Sequence, residues 1–451
     1  MSNHSSANLL TEPQQWLRLG GIDDDEWAEF QDTRPWTGQS DETLQRILLR
    51  LARLSPDDFE RWSSDVIDWD RIRADPNAFR GRFFRLRGRI RSIAVVRLAA
   101  DVARRFEVKQ YYRVEMLLNG TGQPVVVFSR TVPKTWHQGG TINQPGEAWG
   151  MYLRFANDTQ QLPIFAAPRL AFFPDDQLLG QLGMDVGLLD DLVDRQPIRN
   201  EERECFYQML AAVKRAQPGQ LRKEARRQLA ERGDGCYSVV PLFNDPARQH
   251  GKLVMFSGTV RRALRVRVED PDIRRRFGID HYFELSLFPR DSQGNPLVFC
   301  VLDVPKNMPL GDGPEYSEPV TVAGFFLKSR AYRSALVCAA ADGNAPLQLA
   351  PLLIGSEPVW GGRSTTDAMS IWGAVGGVMF VLILVGIWLW LLVRSRADRR
   401  FRQATRNRIN PHSPLAKSDA SSLDDENQFD FASIEQGGSN QSNPETNSRN
   451  T

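Results

Sequence analysis

The region before residue 360 is one unit written twice, which constrains the fold strongly, because two copies of one pattern must close in the same way. FRGRFFRLRGRI, with Gly81 and Gly88, matches QHGKLVMFSGTV, with Gly251 and Gly258, and a DP pair precedes each, Asp75-Pro76 and Asp245-Pro246. PVVVFSRTVPK, from Pro124 to Lys134, matches PLVFCVLDVPK, from Pro296 to Lys306. YRVEMLL meets YFELSLF with Glu115 over Glu284 when the apolar alternation is kept in phase, and GEAWGMYLRF meets SEPVTVAGFFLK. The match extends upstream: LGGIDDDEWAEFQDTRPW, ending at Pro35-Trp36, pairs with LGMDVGLLDDLVDRQPI, ending at Pro197-Ile198. Units of about 160 to 170 residues are duplicated domains rather than solenoid turns, and each should own a core.

A helical preface opens each copy. Leu44, Ile47, Leu48 and Leu51 fall on one helical face, as do Cys205, Phe206, Met209, Leu210 and Val213. A second short helix is predicted after each, one capped by Ser55 with Pro56 in its first turn, the other stopped by Gly233. The bodies that follow are β-rich. Strands are predicted at 81–95, 111–118, 124–130, 148–155 and 163–171, and at 251–268, 281–288, 296–303, 318–327 and 335–341. In the first of these, Phe84, Leu86, Gly88 and Ile90 alternate with Arg85, Arg87, Arg89 and Arg91, the pattern of a half-buried strand. Pro133 and Pro305 end a strand that cannot continue through a residue without N–H.

A long first strand bent at an internal glycine, a two-strand meander, a VPK break and two more strands resemble, in order and spacing, the OB-fold barrel. A small β-sandwich is the other arrangement that this order allows. The resemblance covers about 100 residues per copy, rests on strand order, and implies a binding platform more than a catalyst. The expected fold class is therefore α+β: two duplicated units, each a helical preface plus an OB-like barrel, then one transmembrane helix and a disordered tail. The expected segments are 1–66 and 176–236 (prefaces), 67–175 and 237–358 (β domains), 359–370 (linker), 371–393 (span) and 394–451 (tail).

The chemistry is sparser. The chain has 41% apolar and 25% charged residues with a formal charge of +2, so no whole-protein attraction to polyanions is expected. Arg82, Arg85, Arg87, Arg89 and Arg91, beside Arg80 and with Phe83 and Phe84 interleaved, form a ladder that could hold phosphates or a single nucleic-acid strand. The same ladder also reads as a solvated face paired to acids on a neighbouring strand. The second copy moves its basic residues to the far end of the strand. Lys134 and Lys306 read as stems covering a barrel end. No HExxH, GxSxG, Walker loop or GxGxxG is present, and the five histidines fall at unrelated places. No catalytic residue, metal or cofactor is expected. Cys205, Cys236, Cys300 and Cys338 show no ligand spacing; they read as buried thiols or as two disulfides.

Ile371 to Val393 carries no charge and no proline, reaches roughly 34 Å as a helix, and is expected to span a membrane once. Gly373 and Gly377 make a GxxxG that would allow a homodimer through the span. Beyond it, Arg394, Arg396, Arg399, Arg400 and Arg402, with Arg406 and Arg408, face one acid, Asp398. This places the tail in the cytoplasm and the arginines against lipid headgroups, although the N-terminus predicts no signal peptide to export the repeats. The tail, with its stretch SLDDENQFDFASIE, offers a place for a protein partner to dock. Three functions follow as expectations: a membrane-anchored binding or scaffolding protein of unknown ligand, an enzyme with a site between the repeats, or an anion or nucleic-acid binder working through the ladder.

Overall fold

The structure, a computed structural model, describes residues 13–32, 34–136, 140–156, 161–332, 348–362 and 376–392. The chain divides into two compact units, 1–366 and 367–451.

Within the first unit both prefaces form as their periodicity predicts. Helix α1, Gly38–Leu51, starts at Thr37, whose hydroxyl accepts the Ser40 N–H at 3.3 Å while Ser40 Oγ accepts the Thr37 N–H at 3.2 Å. It buries Leu44, Ile47, Leu48 and Leu51. Helix α2, Pro56–Trp62, begins at Ser55 with a reciprocal bond to Asp58. Helix α3, Ala100–Phe106, belongs to the first β body. Its second-copy counterpart is α6, Pro271–Phe277. Helices α4, Arg203–Arg215, and α5, Gln220–Arg232, form the second preface, and Gly233 ends α5 at a φ of 72°.

Each β body is a closed seven-stranded sheet. The first has β1 (Phe83–Arg97), β2 (Gln110–Leu118), β3 (Pro124–Ser129), β4 (Gly140–Phe155) and β5 (Pro163–Ala166). Two-residue strands, Ser63–Ser64 and Ala171–Phe172, complete it. The long β1 pairs with β2 on one side and β4 on the other, and β3 pairs with β5 in parallel. The second copy repeats this with β6 (Leu253–Arg267), β7 (His281–Pro289), β8 (Leu297–Val301), β9 (Glu318–Tyr332) and β10 (Gln348–Gly355), closed by β6–β9 and with β8 parallel to β10. A bulge lies at Arg91 in β1 and at Arg261 in β6, where the extra residue bends the strand and helps the sheet close. Leu86, Ile90, Val114, Met116, Val127 and Phe165 fill the first barrel. Outside it, α1 packs Leu44 and Leu48 against Phe83, Val126, Phe128 and Met151. Strand β3 is thus covered on both faces, which is why VVVF runs apolar without alternation.

Several expectations change. The last strand of the second barrel is Gln348–Gly355, while the segment 335–341 lies outside the described residues. The strand registers set Glu115 opposite Ser92 and Ser286 opposite Arg262, so Glu115 corresponds to Ser286 and Arg113 to Glu284. Alternation fixed the phase of the alignment but not its register. The expected transmembrane helix is also corrected: among the described residues, no helix is long and apolar enough to cross a membrane. The helix described there covers 376–392. Gly377 lies in it with open space where a Cβ would stand. Gly373, Arg394, Arg396, Arg399, Arg400, Arg402 and the expected disordered tail fall outside the described residues.

Cys205 and Cys300 are buried free thiols, and Cys236 is free and exposed, so none of these three forms a disulfide; Cys338 lies outside the described residues. Burial pushes the Cys205 and Cys300 thiols up. In a Cys338→Ser variant an aromatic disulfide reagent should titrate one thiol natively and all three after unfolding. Three rapid native thiols would contradict the burial.

Candidate binding surfaces

What the two copies share is architecture. In each, the residue after a bulge in the fourth barrel strand is a buried cation, Arg154 in β4 and Lys328 in β9. An aspartate of the preface accepts the next N–H: Asp32 takes Phe155 N at 2.9 Å, and Asp194 takes Ser329 N at 2.8 Å. Each aspartate also meets a further basic side chain, Arg80 at 3.5 Å or His250 at 3.0 Å. The copies differ in the counter-charge. Lys328 bonds both oxygens of Glu202, at 2.8 and 2.7 Å. In the first copy, Ser40 holds the Glu202 position, and Arg154 donates to the carbonyls of Phe155 and Asp32. A second shared link joins preface and barrel through Glu42 and Arg105, and through Glu204 and Arg276.

The outer face of the first barrel strand is where the copies part. In β1, Arg85 and Arg87 both bond Glu147 on β4, Arg87 at 3.0 Å. Arg89 reaches Asn143 and, at 3.1 Å, Asp175. Arg82 lies over the Phe79 ring at 5.0 Å, and Arg91 is exposed at the bulge. Arg113 joins Glu115 on β2, whose carboxyl Ser92 and Arg113 hold below the usual range. Arg85, Arg87 and Arg89 therefore form one row, and carboxylates already meet it. In the second copy the same row reads Met255, Ser257 and Thr259, with Thr321 in the place of Glu147. Ser257 Oγ lies 2.8 Å from Thr321 Oγ1 where the first copy has an ion pair. This neutral face floors a groove of about 760 Å³, bordered by Leu229 of α5, exposed Cys236, Phe288 and Val359.

A smaller cleft of about 220 Å³ lies between the copies. Arg85, Glu147, Trp149 and Arg169 line one side, and Asp185, Glu204, Arg215 and Arg276 the other. Three of its acids are engaged: Arg276 holds Glu204 at 2.7 Å, Arg169 holds Asp185 at 2.7 Å, and Arg85 holds Glu147. Burial raises the Asp185 carboxyl against the pull of Arg169. Burial also acts to raise Glu204, but its bonds to Arg276 outweigh this and leave it lowered. Among the described residues no cluster of three or more His, Cys, Asp or Glu could hold a metal ion. Lys134 donates its backbone N–H to Asp190 at 2.7 Å, so the first VPK turn receives the connector between the copies. Lys306 is exposed.

Sequence reasoning missed the buried cations and their aspartates. The signal was present in the alignment: a D-x-x-P in both prefaces, and one basic residue in an apolar run, MYLRF or FFLKS.

No protein-family model matches the sequence, and no curated protein matches it. Among solved structures, the chain is similar over 59% of its length, and over 92% of the other, to a murine DNA-binding protein bound with double-stranded DNA (9% identity, TM-score 0.14). A structure described as the molecular basis for abrogation of activation of pro-inflammatory cytokines has 6% identity and a TM-score of 0.14, covering 62% of this chain and 92% of that one. An ADP-ribosylating toxin of a binary enterotoxin of C. perfringens with NADH has 12% identity and a TM-score of 0.11, covering 77% and 94%. At these TM-scores the likenesses carry no argument, and what stands on the chain's own geometry is a duplicated β-rich fold of two seven-stranded sheets.

Proposed function

We propose that the chain is a binding protein built on two OB-like barrels, with the groove of the second barrel as its ligand site. The barrel reading is supported by the strand order, first-second-third-fifth-fourth and back to the first, with the third and fifth parallel. The observation that carries the function is the changed face. Duplication kept the interior and replaced Arg85, Arg87, Arg89 and Glu147 by Met255, Ser257, Thr259 and Thr321 over an open groove of about 760 Å³. That volume is typical of small-molecule sites. Hydroxyls on a partly apolar floor suit an uncharged ligand with its own hydroxyl or amide groups. The floor itself carries no charge, and the two charged residues of the lining, Arg290 and Asp291, are of opposite sign, so a charged ligand would lose water there without meeting a net counter-charge.

An environment-sensitive fluorophore on Cys236, in the Cys338→Ser background, reads the groove directly. Octyl glucoside below its micelle concentration should shift its emission, and octanoate should not. Ser257→Arg with Thr259→Arg should weaken the response about tenfold or more, because two guanidiniums would fill and charge the floor. Arg85→Ala with Arg87→Ala should leave it unchanged. An equal response in the Ser257→Arg/Thr259→Arg variant would sink the proposal. Retention on single-stranded DNA that Arg85→Ala, Arg87→Ala and Arg89→Ala abolish would move the function to the ladder.

A further inference from the structure

In the first copy, Trp36 packs against Phe128 with ring centroids 5.2 Å apart. Its indole N–H donates to Asp41 at 2.8 Å, and the Tyr111 hydroxyl donates to the same carboxylate at 2.9 Å. Ring and carboxylate together close the notch where α1 meets the barrel. The preface alignment and the strand registers place Ile198 where Trp36 stands, Arg203 for Asp41, Cys300 for Phe128 and Tyr282 for Tyr111. The rings of Trp36 and Phe128 have no counterpart, Phe206 and Tyr207 bring rings where the first copy has Leu44 and Gln45, and the hydrogen-bond acceptor has become a cationic donor. A hollow of about 340 Å³ remains, lined by Ile198, Arg199, Arg203, Phe206, Tyr207 and Tyr282.

The polar groups of the hollow favour an anion. Ile198 is 40% exposed at its mouth. Arg203 stacks over Tyr207 at 5.8 Å and bonds Asp270, which also accepts the N–H of Asp272 at 2.7 Å. Arg199 donates to the Asp191 carbonyl at 2.9 Å and lies 3.5 Å from Glu202, whose oxygens are held by Lys328. A guanidinium has five N–H donors, so both arginines keep donors beyond these bonds. Among the described residues neither the Tyr207 nor the Tyr282 hydroxyl has a hydrogen-bond partner, which leaves two more donors on an aromatic wall.

We propose that this hollow binds a small planar aromatic carboxylate, its ring lying beside Ile198 against the wall of Phe206, Tyr207 and Tyr282 and its carboxylate meeting Arg203. The site is separate from the groove and does not depend on it.

The test is calorimetric titration of the full chain with indole-3-carboxylate, with indole-3-carboxamide, and with inorganic phosphate. The carboxylate should bind about tenfold more tightly than the amide, since a charge-assisted bond to guanidinium is roughly twice as strong as a neutral one. Phosphate should bind more weakly than either, having no ring to bury. Arg203→Gln should remove the preference for carboxylate over amide. Ile198→Trp copies the residue that the first copy tolerates, so an unchanged melting temperature shows that it folds, and it should abolish binding. Ser257→Arg/Thr259→Arg should leave this binding intact, which separates it from the groove. Equal binding of acid and amide, phosphate as tight as the carboxylate, unchanged affinity in Ile198→Trp, or no heat at millimolar ligand would each overturn the proposal.

Discussion

Lys328→Met should destabilise the first unit by about 3–5 kcal/mol, because it strands the Glu202 carboxylate inside the protein. Both side chains are 0% exposed, and the pair is bidentate. Burial alone would raise the Glu202 carboxyl, but Lys328 and the N–H groups of Arg199 and Val193 outweigh it and hold it below its ordinary value of 4.5. A depressed carboxyl contributes stability above its unfolded pKa and loses it as pH falls through the folded one, so this contribution should persist at pH 5 and fade only below about 4.5. In Lys328→Met the sign reverses. The unpaired buried carboxyl rises, and the deficit should shrink between pH 7 and pH 5. Adding Glu202→Gln should recover more than half of the loss, with the amide oxygen still accepting one of the two N–H bonds. Arg154→Met is the control in the first copy. With Ser40 in place of a glutamate it strands carbonyls rather than a charge, at about 2 kcal/mol. Urea denaturation of these three variants and the unmodified protein at both pH values decides the matter, and equal losses for Lys328→Met and Arg154→Met would refute the role given to the counter-charge.

Gly88→Ala should cost about 3 kcal/mol and open the first barrel where β1 crosses β2, since overpacking against backbone has no side chain to yield. A Cβ at Gly88 would stand 2.2 Å from the Leu117 carbonyl oxygen, and one at Gly258 2.5 Å from that of Phe288. The requirement is for close approach of two strands, not for an unusual φ. Amide exchange should speed up along 110–118 in the first variant and along 281–289 in the Gly258→Ala variant, each confined to its own barrel. Protection unchanged in both would show that the strands can part without loss.

The duplicated, ordered region was legible because repetition cancels what is incidental: Gly88 over Gly258, Pro133 over Pro305, and α1 over α4 all survive in the structure. Register was not legible, since a period of two cannot tell Glu115 over Glu284 from Glu115 over Ser286. The strand at 348–355 was missed because a more apolar run, ALVCAAA, precedes it. The ladder was legible as a row of arginines, but Glu147 and Asp175, which meet it, lie more than fifty residues away. Arg154 shows the same limit. Its place in MYLRF marks an oddity, and only the fold reveals that Asp32 receives the next N–H. The apolar stretch at 371–393 suggests a span by composition alone, whereas among the described residues no helix is long and apolar enough to cross a membrane.

The connector between the copies gives chain order a physical meaning. Asp185 is buried against the first barrel, accepting Phe172 N at 2.8 Å and pairing with Arg169, and Asp190 holds Lys134. A few residues later the same connector turns to the second barrel through Asp194 and Glu202. During synthesis the first barrel is already made when this stretch emerges, and can serve as the template on which the second preface settles. The second copy has no such surface of its own to start from, so the two halves, alike in sequence pattern, are not interchangeable in time.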